Sequence, residues 1–138
     1  MTQSNIRRAL ELHLGAATPD LPTAMQNDDF DPADPDTPPP YQECFVIPAR
    51  GKARGLRQKT ALHLGIFQVN LCYPAGSGTG DVDARADLLI EHFRPADTVL
   101  EFGGTKVRFR GFGVKAGPIP GRPGLYVVPV SFTYESIF

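Results

Sequence analysis

The run Gly76-Ser77-Gly78-Thr79-Gly80 stands just before a helical pattern, where backbone N–H groups at a helix N-terminus could cradle a phosphate. It lacks the Gly-Lys-Ser/Thr ending that carries a lysine to the phosphates, and its glycines miss the G-x-G-x-x-G spacing. It reads as a pliable strand-to-helix connector. His13, His63 and His92 fall in three different elements, with no pair four residues apart. No metal pair and no nucleophile–base dyad is visible in that spacing. His13 and His92 read as half-exposed residues on helix flanks. Residues 27–40 hold five aspartates, which invites a calcium reading, and five prolines, which break it. An EF-hand loop needs alternating acids, a glycine and a later glutamate, and none of that geometry is present. Cys44 and Cys72 are too few for a disulfide scaffold and lack ligand spacing. They read as buried, unoxidised thiols of a reducing compartment.

The densest charge is basic. Arg50, Lys52, Arg54, Arg57 and Lys59 fall in residues 50–59, with Gly51 and Gly55 among them. Three readings stay open: a solvated loop, a subunit interface, or a nonspecific contact with DNA phosphates. No aromatic residue is interleaved to stack on bases. The acidic run containing Asp28, Asp29, Phe30 and Asp31 carries comparable charge of opposite sign. In a head-to-tail ring the acidic loop of one subunit is expected to face the basic loop of the next.

The elements that must position these residues follow from periodicity. Residues 4–14 predict a helix with Ile6, Leu10 and Leu14 on one face, Ser4 as N-cap and Gly15 as C-cap. Residues 21–26 predict a short strand. Residues 41–49 predict a strand with Tyr41, Phe45 and Ile47 on one face and Cys44 and Val46 on the other. Residues 60–73 carry the strongest strand pattern, apolar on both faces of its first half, with a bulge expected at Gly65. These two strands and the basic run predict a long hairpin whose tip projects from the body.

A second helix is expected over residues 81–93, with Asp81 as N-cap and Pro95 as its stop. Strands are expected at 98–102, 106–112 and 125–134, the last with an edge or bulge at Pro129. Residues 113–124, with four glycines and three prolines, read as loop. The sum is an α+β fold: one domain over residues 1–138, with a mostly antiparallel sheet and two helices packed on one face.

At 138 residues the chain can bury a core without disulfides or metals. Its net charge of −1 argues against a dedicated nucleic-acid binder. Residues 1–14 form a polar amphipathic stretch that does not read as a secretory signal, and no apolar run is long enough to span a membrane. Nothing clusters in the manner of a catalytic site or ligand pocket, so neither an enzyme nor a cofactor is expected.

An ordered series of stretches resembles the tail-terminator proteins (minor tail protein U-like) of long-tailed bacteriophages. It runs through Arg8-Ala9-Leu10-Glu11, then Leu21-Pro22 leading to Asn27-Asp28-Asp29-Phe30-Asp31-Pro32, then Tyr41 at a strand start. Gly65-Ile66-Phe67-Gln68-Val69-Asn70-Leu71 and Pro74-Ala75-Gly76-Ser77-Gly78 follow, then the helix of residues 84–93. The closing Gly124-Leu125-Tyr126-Val127-Val128-Pro129-Val130-Ser131-Phe132-Thr133-Tyr134 completes it.

The resemblance implies a ring, as in known hexameric terminators. Such a ring would cap the tail tube, end its polymerisation and present a surface for head–tail joining. It implies as partners a second copy of the chain, the tail-tube protein and the head–tail connector protein, with DNA passing through passively. It places the protein at the neck-proximal end of the virion tail, after assembly in the host cytoplasm. The same pattern fits another neck or tail component, a head–tail joining protein or a tail-tube subunit, as the alternative. No catalytic residues come with the family. The interface residues expected from the charge pattern are Arg50, Lys52, Arg54, Arg57, Lys59, Asp28, Asp29, Phe30 and Asp31.

Overall fold

Apolar residues at spacings of three and four wind Thr2–Ala17 into helix α1. Ile6, Leu10 and Leu14 are fully buried on one face, and Ala9 is nearly so. The helix starts before Ser4 and runs through Gly15, so neither residue is a cap. Gly15 is exposed, a β-carbon added there would meet no neighbouring element within 4 Å, and Ala16 and Ala17 are strong helix formers that carry the helix past it. The computed structural model describes residues 2–17, 22–24, 40–48, 52–54, 60–76, 78–94, 99–119 and 124–137.

Among these residues the strands form one eight-stranded sheet. They are β1 (Thr23–Ala24), β2 (Tyr41–Pro48), β3 (Lys52–Arg54), β4 (Thr60–Pro74), β5 (Val99–Phe102), β6 (Thr105–Phe109), β7 (Val114–Lys115) and β8 (Leu125–Ile137). Their order is β1-β2-β4-β8-β6-β5, with β3 on β4 and β7 on β8. Only β1 and β2 pair in parallel; the other pairs are antiparallel. The backbone of the sheet is the ladder of β4 with β8, unbroken from Leu62↔Ile137 to Pro74↔Leu125.

Alternation along β4 and β8 sends Phe67, Val69 and Leu71 to one face with Val128, Val130, Phe132 and Tyr134. Cys44 and Val46 of β2 and Val107 and Phe109 of β6 join them, and α1 and helix α2 (Gly80–His92) cover this face. Both helices therefore lie on one side of the sheet. Thr79, not Asp81, occupies the N-cap position of α2. Asp81 and Asp83 fall in its first turn, where carboxylates favour the positive helix end. The helix ends at His92, with the Phe93 N–H donating to the Leu89 carbonyl at 3.0 Å. Pro95, the expected stop, lies outside the described residues, as do Leu21, Met25 and Gln26 around β1.

Among the described residues no helix covers the opposite face of the sheet. A small cluster of Tyr41, Cys72 and Val127 closes one end of it. Cys44 and Cys72 thus lie buried on opposite faces, too far apart to bridge. Towards the hairpin end, Ile66 is 40% exposed and Ile47 48%, so the expected burial of β4 on both faces holds for one face only.

On the β8 side the register runs through Gly65 unbroken, but on the β2 side the ladder ends at Pro48↔Gly65 and resumes one residue out of step at Lys52↔Leu62, so Gly65 stands at the edge of the expected irregularity. It is a point of close approach. The fully buried Tyr134 ring lies across it, and a β-carbon there would come within 2.6 Å of Tyr134 Cζ and 2.8 Å of the Ile47 carbonyl oxygen. Pro129 also sits in an unbroken ladder, opposite Asn70 on β4. Its carbonyl accepts from the Ala116 N–H at 3.0 Å, so its own nitrogen faces that same side. There β7 ends, because the reciprocal bond to the Ala116 carbonyl is the one that proline cannot supply.

Within the segment expected to be loop, residues 113–119 are drawn into the sheet. β7 and an Ile119↔Val127 bridge lay the segment along the free side of β8. β6 correspondingly ends at Phe109, short of the expected 112. The β5–β6 turn is Gly103-Gly104, with φ of 59° and 83°, the paired positive values of a type I′ hairpin.

Gly65→Ala is expected to cost about 1–3 kcal/mol, because Tyr134 and the β2 backbone must both give way. Thermal unfolding would show this as a lowered midpoint with an unchanged far-ultraviolet spectrum. A midpoint equal to the wild type would mean the Tyr134–Gly65 contact is not tight.

Candidate assembly interface

The hairpin grows from the β2–β4 pair. After Pro48↔Gly65 the pairing resumes in β3, with Lys52↔Leu62 and Arg54↔Thr60. Lys52 and Arg54 therefore stand on a strand near the tip. Arg50, Arg57, Lys59, Asp28, Asp29, Phe30 and Asp31 lie outside the described residues.

What the fold does place is the roots of the two charged segments. Ala24 pairs beside Glu43 and Pro40 precedes Tyr41, itself opposite Cys72, so the acidic run leaves from the end of the sheet where β4 finishes. Arg54 and Thr60 lie at the end where β4 begins. β4 has 15 residues and spans about 50 Å at ~3.3 Å per residue. The roots of the acidic and basic runs are thus at opposite ends of the molecule.

Exposed apolar side chains mark the open face. Ile47 and Ile66 pair in register, with Thr133 beyond them on β8. Phe112, 64% exposed, and Val114, 62% exposed, flank that row on the β7 side. Apolar surface grouped in this way marks a site of association more often than chance exposure. Beside it, Arg108 and Arg110 converge on Glu135 at 3.2 and 3.8 Å. These exposed ion pairs add little stability but set the charge of that edge.

Across the molecule, α2 presents two flanks. On one, Lys115 Nζ donates to Asp83 Oδ1 at 2.6 Å, and Gly113 packs beneath Ile90 and Phe132. On the other, Arg85 Nε donates to the Tyr73 hydroxyl at 3.4 Å. An open groove of about 420 Å³ runs there between Pro40, Tyr73, Asp81, Ala84, Arg85 and Leu88. Its few polar groups do not converge on a reacting centre. Among the described residues no three His, Cys, Asp or Glu side chains come together as metal ligands. The Gly76–Gly80 run is a connector from β4 to α2, as its spacing suggested.

One pair of side chains was invisible in the sequence. The rings of His13 and His92 stack at 3.9 Å, with 18° between their planes. His13 Nε2 donates to the His92 carbonyl, and His92 Nε2 donates to the His13 carbonyl, both at 3.0 Å. A carbonyl only accepts, so each ring carries its proton on Nε2. The two residues are not loose helix flanks but a reciprocal clasp between the last turns of α1 and α2. Burial pushes the His13 pKa down; the bond to the His92 carbonyl opposes this, and the neighbouring His92 ring adds to the lowering. No local motif could have announced the clasp, because the partners lie 79 positions apart.

The comparisons with known proteins agree with this geometry. A family model described as phage tail terminator protein matches residues 5–134. A solved structure is similar over 99% of this chain and 96% of that chain, with a TM-score of 0.75 and 34% sequence identity. No curated protein matches. Among the described residues no helix is long and apolar enough to cross a membrane.

The clasp carries a pH dependence whose sign is set. In the unfolded chain His13 takes up a proton near pH 6.5, and in the fold only at lower pH. Below about pH 6.5 the unfolded state therefore binds more protons, and stability falls as pH falls. Thermal unfolding between about pH 7.5 and 5.5 is expected to show the wild-type midpoint dropping by a few degrees. His13→Gln should flatten that drop. Equal slopes for the two proteins would remove His13 as its source.

Proposed function

We propose a specific assembly role for this chain, which belongs to the phage tail terminator protein family: it closes into a ring on the end of the tail tube, stops further growth and offers its outer rim for joining to the head. A structural role in the phage tail follows from the family, which is a family of tail structural proteins and not of enzymes. The observation that carries the finer reading is the extent of the match, residues 5–134, together with a shared fold over nearly the whole chain. The likeness thus includes the sheet, both helices and the roots of the projecting segments, which are the parts a capping ring would use.

Capping requires two unlike ends. One must complement the tube, and the other must refuse another tube subunit. Rotation about a ring axis leaves the height of every atom unchanged. If the strands run along that axis, the acidic segment with Asp28, Asp29, Phe30 and Asp31 and the basic segment with Arg50, Lys52, Arg54, Arg57 and Lys59 occupy opposite rims. One then meets the tube and the other the head connector. Only if the strands run around the ring can the two segments of neighbouring subunits pair. The first arrangement makes the two rims chemically unlike, which is what termination needs.

Native mass and negative-stain imaging, with and without purified tube protein, test the reading. A closed ring is expected, alone or on tube ends, together with tubes of fixed length. A monomer that ignores tube ends would end the terminator reading, and long homopolymeric tubes would identify a tube subunit. Reversing the charge of Lys52 and Arg54 separates the two orientations. With the strands axial, the ring closes as before and engagement of tube or connector weakens. Loss of ring closure, relieved by low salt, would show that the segments pair between neighbours.

A further inference from the structure

Among the described residues Phe112 is the most exposed of the large apolar side chains, at 64%. It stands between Arg110, whose N–H is tied to the Thr133 carbonyl at 2.8 Å, and β7, which is tied to β8. Its backbone is therefore held on both sides, while its ring is offered to solvent. Holding an aromatic ring in water exposes apolar area that any fitting partner would cover.

The groove beside α2 has the matching character. Tyr73, Ala84, Leu88 and Pro40 supply apolar walls, Arg85 lies along one side, and the exposed Asp81 stands at the mouth. Leu88 is itself 43% exposed. At about 420 Å³ the groove is large enough for a small organic group such as a phenyl ring. The charges complement as well. Arg110, two residues from Phe112 with 57% of its side chain exposed, would meet Asp81, and Arg85 would face the ring as a cation over a π surface.

Knob and groove cannot meet within one molecule. Phe112 lies beyond β8 on the β7 flank of α2, whereas the groove lies on the β4 flank. The core-facing side of α2 separates them. Two different, complementary surfaces on opposite flanks of one subunit form a head-to-tail contact, and such contacts generate rings when the rotation closes.

The geometry points to a subunit contact in which Phe112 of one copy inserts into the α2 groove of the next, between Tyr73 and Leu88, with Arg110 set against Asp81. This rests on the reading of the protein as a ring. It names the joint that the ring would use, and it runs across the strands, in keeping with strands aligned to the ring axis.

The test uses the full chain with Phe112→Ser, which removes the knob, and Leu88→Arg, which blocks the groove. Both positions are exposed, so circular dichroism and the unfolding midpoint should stay at wild-type values. Sedimentation over a concentration series, and imaging on tube ends, should show each variant alone losing ring closure, with association weakened about tenfold or more. A mixture of the two retains one intact groove and one intact knob, and should stop at dimers. Rings formed by either variant alone would overturn the contact while leaving the terminator reading intact. Loss of rings by both, with no dimer in the mixture, would overturn the pairing of these two surfaces in favour of another partner for each. A wild type that forms no ring, even on tube ends, would overturn the ring reading and this contact together.

Discussion

The ring of Phe93, fully buried at the end of α2, lies against Phe132 at 4.4 Å, Phe109 at 5.2 Å and Phe67 at 5.9 Å, with His13 of α1 edge-on at 4.7 Å. Both helices and three strands meet on this one side chain. Aromatic rings bury large areas and prefer stacked or edge-to-face geometry, so such a cluster constrains angles as well as distances. It fixes where α2 ends, and hence where its two flanks point. The clasp of His13 with His92 adds the second helix to the same junction, satisfying the His92 carbonyl at the end of α2 and giving the His13 carbonyl in α1 a second donor. The two flanks of α2, proposed above as assembly surfaces, are held at a fixed offset from this point.

The β4–β8 ladder acts as the beam on which the junction rests. Ten residues along β4, about 33 Å, separate the level of Ala24, at Asn70, from Thr60 at the root of the basic segment. Tolerance of Gly65 and Pro129 within it depends on local accommodation. Tyr134 fills the space above Gly65, and β7 ends on the side to which Pro129 turns its missing donor. Among the described residues both helices cover one face of the sheet, and no helix covers the open side. The exposed row at Ile47 and Ile66 belongs to that open side.

Legibility varied with the range of the interaction. The stripe of Ile6, Leu10 and Leu14, the alternation from Tyr126 to Tyr134 and the partition of β2 between Cys44 and Ile47 were all readable, because each depends on spacing along one element. Caps were less so: Ser4, Gly15 and Asp81 have suitable side chains yet sit inside helices, since tertiary packing extends a helix past a weak local stop. At the candidate interface the charge runs were conspicuous by composition. Phe112 and the groove at Tyr73 and Leu88 were not, because exposure of an apolar residue and concavity between elements are properties of the folded surface alone. Gly113 to Gly124 looked structureless for its glycines and prolines, but the free side of β8 offered hydrogen-bond partners that drew Val114, Lys115 and Ile119 into the sheet.

By itself the sequence determined the fold class, the two amphipathic helices, the long central strands and the antiparallel pairing of the segments that flank the basic run. Periodicity and turn chemistry act over a few residues, and the hydrophobic effect converts them directly into buried faces. Its ordered resemblance to tail terminators also set the functional expectation. Tertiary structure alone decided that His13 meets His92, that Gly65 makes room for Tyr134, that the charged segments root at opposite ends, and that a knob and a groove stand on opposite flanks of α2. Those relations join residues tens of positions apart. They exist only after chain closure has placed the elements, so no local pattern encodes them.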